Sequence, residues 1–547
     1  MKQFLKYNCN VYSQSLYFFV KKKYYIIITY QPEENLNMKT IITAINARYS
    51  HSSLAVRYLQ KCCGGFDTET AEFSINDNIY DIYSALAKRN AEIYCFSCYI
   101  WNLRETVTVA RMLKTAMPGS VIIFGGPEAA EYDFVDCVIT GEGEEAIVQA
   151  LTAVQNGEPL PREISGAAAD LDRMPQPYTA EDLRSIIGKM VYFETARGCP
   201  FSCSYCLSSA RRGIRYFPME YVKTGLSMFF DNNVRLVKLV DRTFNCNPSR
   251  AAEIMRFTID NSKSTMLHLE MAPHLITDEI LALLSEAPNR FQLEMGIQST
   301  NPQTLEAINR RFDLAVTAEK IKLATASGVH IHLDLIAGLP YEDIDSFRRS
   351  FEYVYSLRPH MLQLGFLKVL PGTAIRDFGG ICHMAEPPYE VLSTEWLPSC
   401  EVFRLKDIEN AVDRFYNSGA FSRTVELLSA EAPFEFFDSL GAALADAEKN
   451  GRLARHNIYE VLYRLDGGGD DNVAEAIALD FIQNNKDRPM LDFVTRDSRP
   501  QFKKRCLEYV QKNGIGLNDV RFEPIFGKVY FADYKRGTVE EVTALFD

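Results

Sequence analysis

Three cysteines are the residues of this chain best suited to chemistry. Cys199, Cys203 and Cys206 form a C-x3-C-x2-C pattern in the segment ARGCPFSCSYC. A structural zinc site normally uses four nitrogen or sulfur ligands, often as two pairs, and no second C-x2-C or H-x3-H pattern follows nearby. Three thiolates from one loop leave one iron of a cubane iron–sulfur cluster without a protein ligand. The spacing therefore favours an open iron–sulfur site over zinc or over three unrelated buried cysteines.

The remaining cysteines predict no disulfide framework. The chain has 13 cysteines, an odd number spread over 547 residues, unlike the dense pattern of small secreted domains. Cys95 and Cys98 lie three apart on a predicted strand, so their side chains should point to opposite faces. We expect Cys95 in the core and Cys98 facing a loop.

Composition and charge limit the class of protein. Hydrophobic residues make up 47% and charged residues 24%, as in ordinary globular proteins. The net charge of −12 argues against a chain built mainly to coat nucleic acid, and no nucleic-acid-binding module is evident. No run of about 20 apolar residues occurs, so no membrane span is predicted and a cytoplasmic location is expected.

Residues 1–37 stand apart from the rest of the sequence. They lack the small-residue cleavage site of a signal peptide, and Met38 directly precedes the strand-like segment KTIITAIN. We interpret them as a mistaken upstream start or a dispensable extension.

The cysteine pattern follows the first of six strand-like runs. Residues 187–380 contain MVYFETA, RLVKLVDRTF, MLHLEMAP, RFQLEMGIQS, VHIHLDLIAGLP and MLQLGFLKVLPG, separated by segments with helical periodicity. Six β/α units predict a partial (β/α)6 barrel, in which function gathers at the carboxyl ends of the strands.

The flanking regions have different patterns. Residues 38–156 alternate strands with helices, which predicts a doubly wound parallel sheet. Residues 157–186 are rich in proline, glycine and polar residues and predict a linker. Residues 381–547 predict a mostly helical accessory domain with a final two-stranded segment, and no chemistry motif is found there.

Together, the cysteine pattern and the six β/α runs resemble the radical S-adenosylmethionine (SAM) enzymes. The resemblance covers about 200 residues and implies a [4Fe-4S] cluster whose open iron is chelated by SAM. It places Tyr205, just before the third cysteine, against the adenine. It also implies reductive cleavage of SAM to a 5′-deoxyadenosyl radical, with electrons from a reductant such as flavodoxin or ferredoxin.

Within that family, the strand sequences most resemble those of the branch that contains oxygen-independent coproporphyrinogen dehydrogenase and the methylthiotransferases. That branch uses matching residues around SAM. Their chemistry fits this use, since carboxylates can bind ribose hydroxyls or the methionyl ammonium and arginine can pair with the methionyl carboxylate. These residues are Glu270, Gln298, Arg310 and Asp334. Asp241 stands where the family has a glycine-rich turn after the second strand, so SAM binding there is open. Glu294 and Arg311 are either further contacts or structural charges.

The N-terminal region resembles the cobalamin-binding domain that precedes many radical SAM barrels. Small or hydroxyl residues at the strand ends suit the approach of backbone to a macrocycle or nucleotide tail. They are Ser97, Gly125, Gly126, Gly141 and Gly143. The D-x-H-x-x-G signature is absent and His51 is the only histidine before His268, so a cobalamin lower face without histidine is expected. The alternative is a degenerate flavodoxin-like domain that only packs on the barrel.

These resemblances predict a cobalamin-dependent radical SAM enzyme. A substrate radical would accept a methyl group from methylcobalamin, or undergo another radical modification, and the substrate itself is not readable. Three alternatives stay open: a methylthiotransferase-like enzyme, although no second three-cysteine set is obvious; a radical SAM enzyme with a vestigial cobalamin domain; and a non-enzymatic corrinoid or iron–sulfur carrier.

Overall fold

The computed structural model divides the chain into two compact units, residues 1–190 and 191–547. It describes residues 17–21, 24–28, 38–210, 213–449, 451, 457–465, 467, 469–494, 496–499 and 501–546. In the predicted extension, β1 (Tyr17–Lys21) and β2 (Tyr24–Ile28) pair antiparallel. The rest of residues 1–37 lies outside the described residues. Among the described helices, none is long and apolar enough to cross a membrane.

The first unit contains the predicted doubly wound α/β domain. Its elements are β3 (Thr40–Asn46), α1 (Leu54–Cys62), β4 (Thr68–Ser74), α2 (Ile79–Ala87), β5 (Ile93–Ser97), α3 (Leu103–Ala116), β6 (Val121–Gly125), β7 (Cys137–Gly141), α4 (Gly143–Gln155), β8 (Glu163–Gly166) and α5 (Ala180–Ser185). The sheet is parallel throughout, in the order β4-β3-β5-β6-β7-β8. Apolar clusters pack on both faces, which confirms the Rossmann-like fold.

Two sequence expectations for this unit were wrong. The segment predicted as linker contributes β8, which pairs with β7 and buries Ile164. A four-residue edge strand has too few apolar positions to show a period. Cys98 is fully buried in the core rather than loop-facing. It packs in a different apolar cluster from Cys95, as expected for opposite faces, but that face is covered by packed helices rather than by an open loop.

The second unit begins with the predicted partial barrel. Its elements are β9 (Val191–Phe193), β10 (Ala196–Cys199), β11 (Gly213–Tyr216), α6 (Met219–Asp231), β12 (Leu236–Leu239), α7 (Pro248–Asn261), β13 (Met266–Glu270), α8 (Asp278–Glu286), β14 (Phe291–Gln298), α9 (Pro302–Ala307), α10 (Leu314–Ala326), β15 (His330–Ala337), α11 (Ile344–Ser356) and β16 (Met361–Phe366). The six-stranded parallel sheet has the order β16-β15-β14-β13-β12-β9, as predicted.

The barrel strands show why polar residues line the interior. Along β14, fully buried apolar residues alternate with less buried Gln292, Glu294, Gly296 and Gln298. Because strand side chains alternate between faces, the apolar set packs under the helices and the other set faces the barrel interior.

The chain ends in a mostly helical region. Its elements are β17 (Ile381–His383), β18 (Val391–Thr394), α12 (Ser399–Ala411), α13 (Ser422–Leu428), α14 (Pro433–Lys449), α15 (Asn457–Leu465), α16 (Asp471–Asn484), α17 (Phe502–Lys512), β19 (Val520–Ile525), β20 (Lys528–Asp533) and β21 (Thr538–Glu541), with a π-helical turn at Val412–Asn417. The final sheet has three strands rather than the predicted two. β21 has the sequence TVEE, whose single apolar residue gives no alternation to detect.

Candidate cofactor site

The cysteine loop is held by a short hairpin and a buried carboxylate. β10 pairs with β11 so that Cys199 lies opposite Gly213. Gly198 has a φ of +102°, and a Cβ there would lie 2.1 Å from the Gly213 carbonyl oxygen, so the hairpin requires glycine. Asp241 accepts hydrogen bonds from the Thr195 backbone N–H, at 2.7 Å, and from the Thr195 hydroxyl, at 2.5 Å. The start of the loop is therefore fixed from β9 and from the segment after β12.

The three cysteines lie close enough to influence one another. Cys203 is buried, and Cys199 and Cys206 are half-buried. Burial raises the pKa of Cys199, the neighbouring Cys206 and Cys203 raise it further, and a hydrogen bond with Thr243 lowers it. The Thr243 hydroxyl oxygen lies 3.5 Å from the Cys199 sulfur. Uncompensated thiolates here would repel one another, and bound iron would relieve that repulsion.

The spacing of the sulfurs argues against a single metal ion. Among the described residues, the group of three ligand atoms within 4.8 Å of one another consists of His268, Glu294 and His332, not the cysteines. A mononuclear zinc site needs its ligands closer together, whereas a cubane presents its irons at separate corners. The cysteine set therefore fits the predicted cluster.

Arg310 joins the cysteine loop to the barrel rim. Its Nη1 donates to the Cys203 sulfur at 3.6 Å and lies 3.5 Å from the Tyr205 hydroxyl. Its Nη2 donates to the Gly296 carbonyl oxygen. Burial raises the pKa of the Tyr205 hydroxyl, which is therefore neutral. The structure thus brings Arg310 into contact with both Cys203 and Tyr205.

Three buried polar atoms at this rim have no hydrogen-bond partner within the described part of the chain. They are Gln298 Oε1, Arg310 Nε and Asp334 Oδ1. Buried polar groups are normally paired, because leaving one unpaired costs about 1–3 kcal/mol. A ligand with donors and acceptors, such as SAM, would satisfy them, so these residues fit the cofactor that the resemblance implies.

The rim also has a strained backbone at Gln298 and a raised carboxyl pKa at Asp334. Gln298 has a φ of +72° at a β-bulge, where its side chain folds over Gly296. Such strain in a non-glycine residue is concentrated at functional sites. Burial, together with the charges of Glu294 and Glu270, raises the pKa of Asp334 to about 7.

Two of the predicted SAM contacts, Asp241 and Glu270, have partners within the protein. Both carboxylate oxygens of Asp241 bind Thr195, and burial raises the pKa of Asp241 to about 6. Asp241 is therefore a residue that positions the loop. Glu270 lies in the barrel interior, 3.7 Å from the Lys238 ammonium, and burial raises its pKa. Arg311 is exposed.

Below the rim lies a polar network that sequence reasoning missed. Its members face the interior from four neighbouring strands and are Lys238, His268, Gln292, Glu294, His330 and His332. Glu294 accepts from the Lys238 ammonium at 2.8 Å and lies 2.7 Å from His268 Nε2. Gln292 lies 3.3 Å from His268 and 2.6 Å from His332. The alternating segments MLHLE and HIHLD place these histidines on one face of their strands, but they do not show which residues of neighbouring strands meet.

This network is closed by its own contacts. Hydrogen bonds with His268, and the Lys238 charge, hold the pKa of Glu294 at about 2 against the opposing effect of burial. Burial and neighbouring histidines lower the pKa of His332 to about 3, so its ring is neutral. His268, Glu294 and His332 are suitable metal ligands, but the Lys238 ammonium already supplies the positive charge beside Glu294.

The predicted cobalamin-facing residues lie at the carboxyl edge of the first sheet. Gly125 ends β6, Gly141 ends β7 and Gly143 begins α4. Gly126 has a φ of +110°, and a Cβ there would lie 2.6 Å from the Cys98 carbonyl oxygen. The fold itself therefore requires glycine at position 126. A Cβ at Gly125 would meet atoms no closer than 3.8 Å, which leaves space.

The same edge carries an aromatic pair that the sequence analysis did not single out. The rings of Tyr99 and Trp101 stack with centroids 4.4 Å apart, and Trp101 is 43% exposed. Asn102 donates to the carbonyl oxygens of Ile45 and Ser97, which fixes the loop after β5 to the end of β3. A flat apolar surface of this kind suits contact with a planar macrocycle.

The loop after β3 is partly used for packing. His51 forms a bridge with Met190, and the Ser52 hydroxyl donates to the Met190 carbonyl oxygen at 2.8 Å. Ser97 likewise donates to the Thr43 carbonyl oxygen, at 3.3 Å. Both loops thus contribute to the stability of the first unit.

Comparisons with known proteins agree with this architecture. Residues 40–151 match the B12 binding domain, residues 193–354 match the radical SAM superfamily, and residues 377–524 match a family described as a protein of unknown function (DUF4080). The chain is therefore a radical SAM protein with an N-terminal B12-binding domain and a C-terminal DUF4080 domain. These domains imply a [4Fe-4S] cluster, SAM and cobalamin as cofactors.

Two curated relatives that the chain resembles are named as methyltransferases. The chain is 26% identical over 331 residues to a 2-(S-pantetheinyl)-carbapenam-3-carboxylate methyltransferase of Streptantibioticus cattleyicolor, covering 53% of this chain and 48% of that protein. It is 25% identical over 324 residues to the cobalamin-dependent radical SAM methyltransferase TokK of Streptomyces tokunonensis, covering 51% and 48%. The chain thus spans about half the length of these curated relatives.

A solved structure shares the fold over most of the chain. The cobalamin-dependent SAM radical enzyme OxsB, with aqua-cobalamin bound, superposes with a TM-score of 0.56 at 10% identity. The superposition covers 82% of this chain and 84% of the OxsB chain. At this identity, the likeness shows the fold alone.

Proposed function

We propose that this protein is a cobalamin-dependent radical SAM methyltransferase acting on an unidentified substrate. The observation that carries the proposal is the barrel rim, where Arg310 contacts Cys203 and where Gln298, Arg310 and Asp334 each leave a buried polar atom unpaired among the described residues. It occurs in a chain with a B12-binding domain, and two curated relatives are methyltransferases.

Each rim residue has a task in this proposal. Cys199, Cys203 and Cys206 hold the cluster. Arg310 pairs with the SAM carboxylate, because its guanidinium is fixed by Gly296 and its Nε is unpaired. In its ionised form, Asp334 accepts hydrogen bonds from the SAM ammonium or ribose.

The cofactors set the remaining requirements. When bound, the reduced cluster supplies the electron that cleaves SAM to a 5′-deoxyadenosyl radical, and cobalamin supplies the methyl group. A flavodoxin or ferredoxin is the class of reductant that such a site needs, and we place the reaction in the cytoplasm, where low-potential reductants operate.

The test uses SAM with a deuterated methyl group. The full chain is reconstituted anaerobically with iron, sulfide and hydroxocobalamin, reduced, and incubated with this SAM. We expect 5′-deoxyadenosine and a deuterated methyl group recovered in the corrinoid fraction, both detected by mass spectrometry.

The two products separate the alternatives. Deoxyadenosine with no label in the corrinoid would indicate a radical SAM enzyme whose cobalamin domain is vestigial. The absence of both products from protein that holds its cluster would overturn the proposal.

A further inference from the structure

Arg310 is a fixed cation beside a predicted cluster ligand. Its Nη1 lies 3.6 Å from the Cys203 sulfur, within hydrogen-bond range for sulfur, and Nη2 is bound by the Gly296 carbonyl oxygen. Its backbone N–H donates to the Leu305 carbonyl oxygen, and the guanidinium lies over the Phe312 ring at 5.6 Å. The backbone of Arg310 is therefore fixed by Leu305, and its guanidinium is held beside the thiol by Gly296 and the Phe312 ring.

Among the described residues, no acidic side chain forms an ion pair with the Arg310 guanidinium. Within the described ranges, every ion pair shorter than 4.0 Å involves another basic residue, and none includes Arg310. The charge is thus directed mainly toward Cys203 and Tyr205. The exposed neighbour Arg311 has no such arrangement.

Hydrogen bonds and charges at the sulfur ligands are among the factors that set the reduction potential of an iron–sulfur cluster. Reduction adds negative charge to the cluster and its thiolates. A cation that donates to one of these thiolates stabilises the reduced state more than the oxidised state, so it raises the potential.

We propose that Arg310 tunes the cluster as a positioning residue, raising its reduction potential through the hydrogen bond to Cys203, in addition to any contact with SAM. This inference rests on the proposed function only in that the three cysteines hold the cluster. It makes Arg310 the side chain that links the electron-accepting centre to the SAM-binding rim.

The experiment is an EPR-monitored redox titration of the reconstituted full chain without SAM. Arg310→Gln removes the charge. Arg310→Lys keeps the charge but loses the planar guanidinium that binds Cys203 and Gly296 at once. Arg311→Gln is the matched control. Iron content and circular dichroism are measured on every variant.

We expect reduction of the cluster in Arg310→Gln to become roughly tenfold less favourable, a shift of about 59 mV to lower potential for one electron. Arg310→Lys should fall between wild type and Arg310→Gln, and Arg311→Gln should match wild type. If Arg310→Gln does not retain a cluster, the Arg310→Lys shift decides. Wild-type potentials in the position-310 variants that hold a cluster would overturn the inference, whereas failure of wild type itself to assemble a cluster would instead overturn the proposed function.

Discussion

The barrel rim and the polar network below it, which we call the floor, contain similar residues that are used in opposite ways. At the rim, Gln298, Arg310 and Asp334 each leave a buried polar atom unpaired among the described residues. One level deeper, Glu294 and its neighbours pair with one another, and none of their polar atoms is in that unpaired set. Strands β14 and β15 contribute to both levels, with Gln298 and Asp334 at the rim and Glu294 and His332 below it.

The difference separates a ligand site from a scaffold. An unpaired buried group destabilises the empty protein and gains its partner when a ligand binds, whereas a closed network contributes to the fold at once. Carboxylate pKa values follow the same division, since that of Asp334 is raised to about 7 and that of Glu294 is lowered to about 2.

The largest expected effect is at the cysteines. Replacing Cys199, Cys203 and Cys206 with alanine should reduce iron from about four per chain to near zero after anaerobic reconstitution, because the thiolates are the cluster ligands. Cys506→Ala is the control and should keep full iron, measured by colorimetric assay and absorbance. A normal iron content in the triple variant would disprove the cluster assignment.

A rim substitution should weaken SAM binding strongly. Asp334→Ala removes a hydrogen-bonding partner worth roughly 1.5–3 kcal/mol, which is about 10- to 100-fold in affinity, measured by equilibrium dialysis on cluster-loaded protein. His330→Asn, in the floor, should leave SAM affinity unchanged. Equal losses in both variants would erase the distinction between rim and floor.

Stability should respond with opposite signs at the two levels. The folded pKa of Asp334 lies above its usual value, so ionisation costs stability as pH rises from about 4 to 7. Asp334→Asn should therefore raise the melting temperature of the SAM-free protein, more at pH 8 than at pH 5. The corresponding gain in the free energy of unfolding is about 1.4 kcal/mol per unit of pKa shift.

Glu294 should behave in the reverse manner. Its folded pKa is depressed, so its ionised form stabilises the fold above about pH 4.5 and that contribution disappears toward pH 2. Glu294→Gln should lower the free energy of unfolding at pH 7 by a few kcal/mol, on the order of 1.4 kcal/mol per pKa unit, and should lower the melting temperature with it. A stabilising effect of this substitution would show that the floor is not a closed network.

The smallest expected effect is at His51. With cobalamin supplied, the cob(II)alamin EPR spectrum should lack nitrogen superhyperfine splitting, and His51→Ala should leave it unchanged. Gly125→Ala is the more useful probe of loading, because an added methyl group meets nothing closer than 3.8 Å. Splitting that disappears in His51→Ala would contradict the expected lower face.

The sequence predicted the larger elements because their periodicity is strong. Six apolar strand runs with helical spacers defined the barrel, and the cysteine spacing defined the loop at its mouth. Short elements with few apolar residues, such as β8 and β21, could not be predicted this way.

The site was predicted only where a motif stands on one segment. The resemblance named Arg310 and Tyr205, but the contacts of Arg310 with Cys203 and Tyr205 depend on packing between distant segments. The floor network joins residues from β12 to β15, so no local pattern shows that His268 and Lys238 meet at Glu294. Likewise, the hydrogen bonds by which Asp241 holds Thr195 could not be predicted, because the two residues lie on different segments.

The most direct test is whether SAM binds the open iron. Cluster-loaded protein is reduced and examined by electron–nuclear double resonance with SAM carrying a 15N-labelled amino group. The account predicts a 15N coupling to the cluster in wild type and its loss or marked weakening in Asp334→Ala at the same SAM concentration. An intact reduced cluster with no 15N coupling at saturating SAM would contradict it.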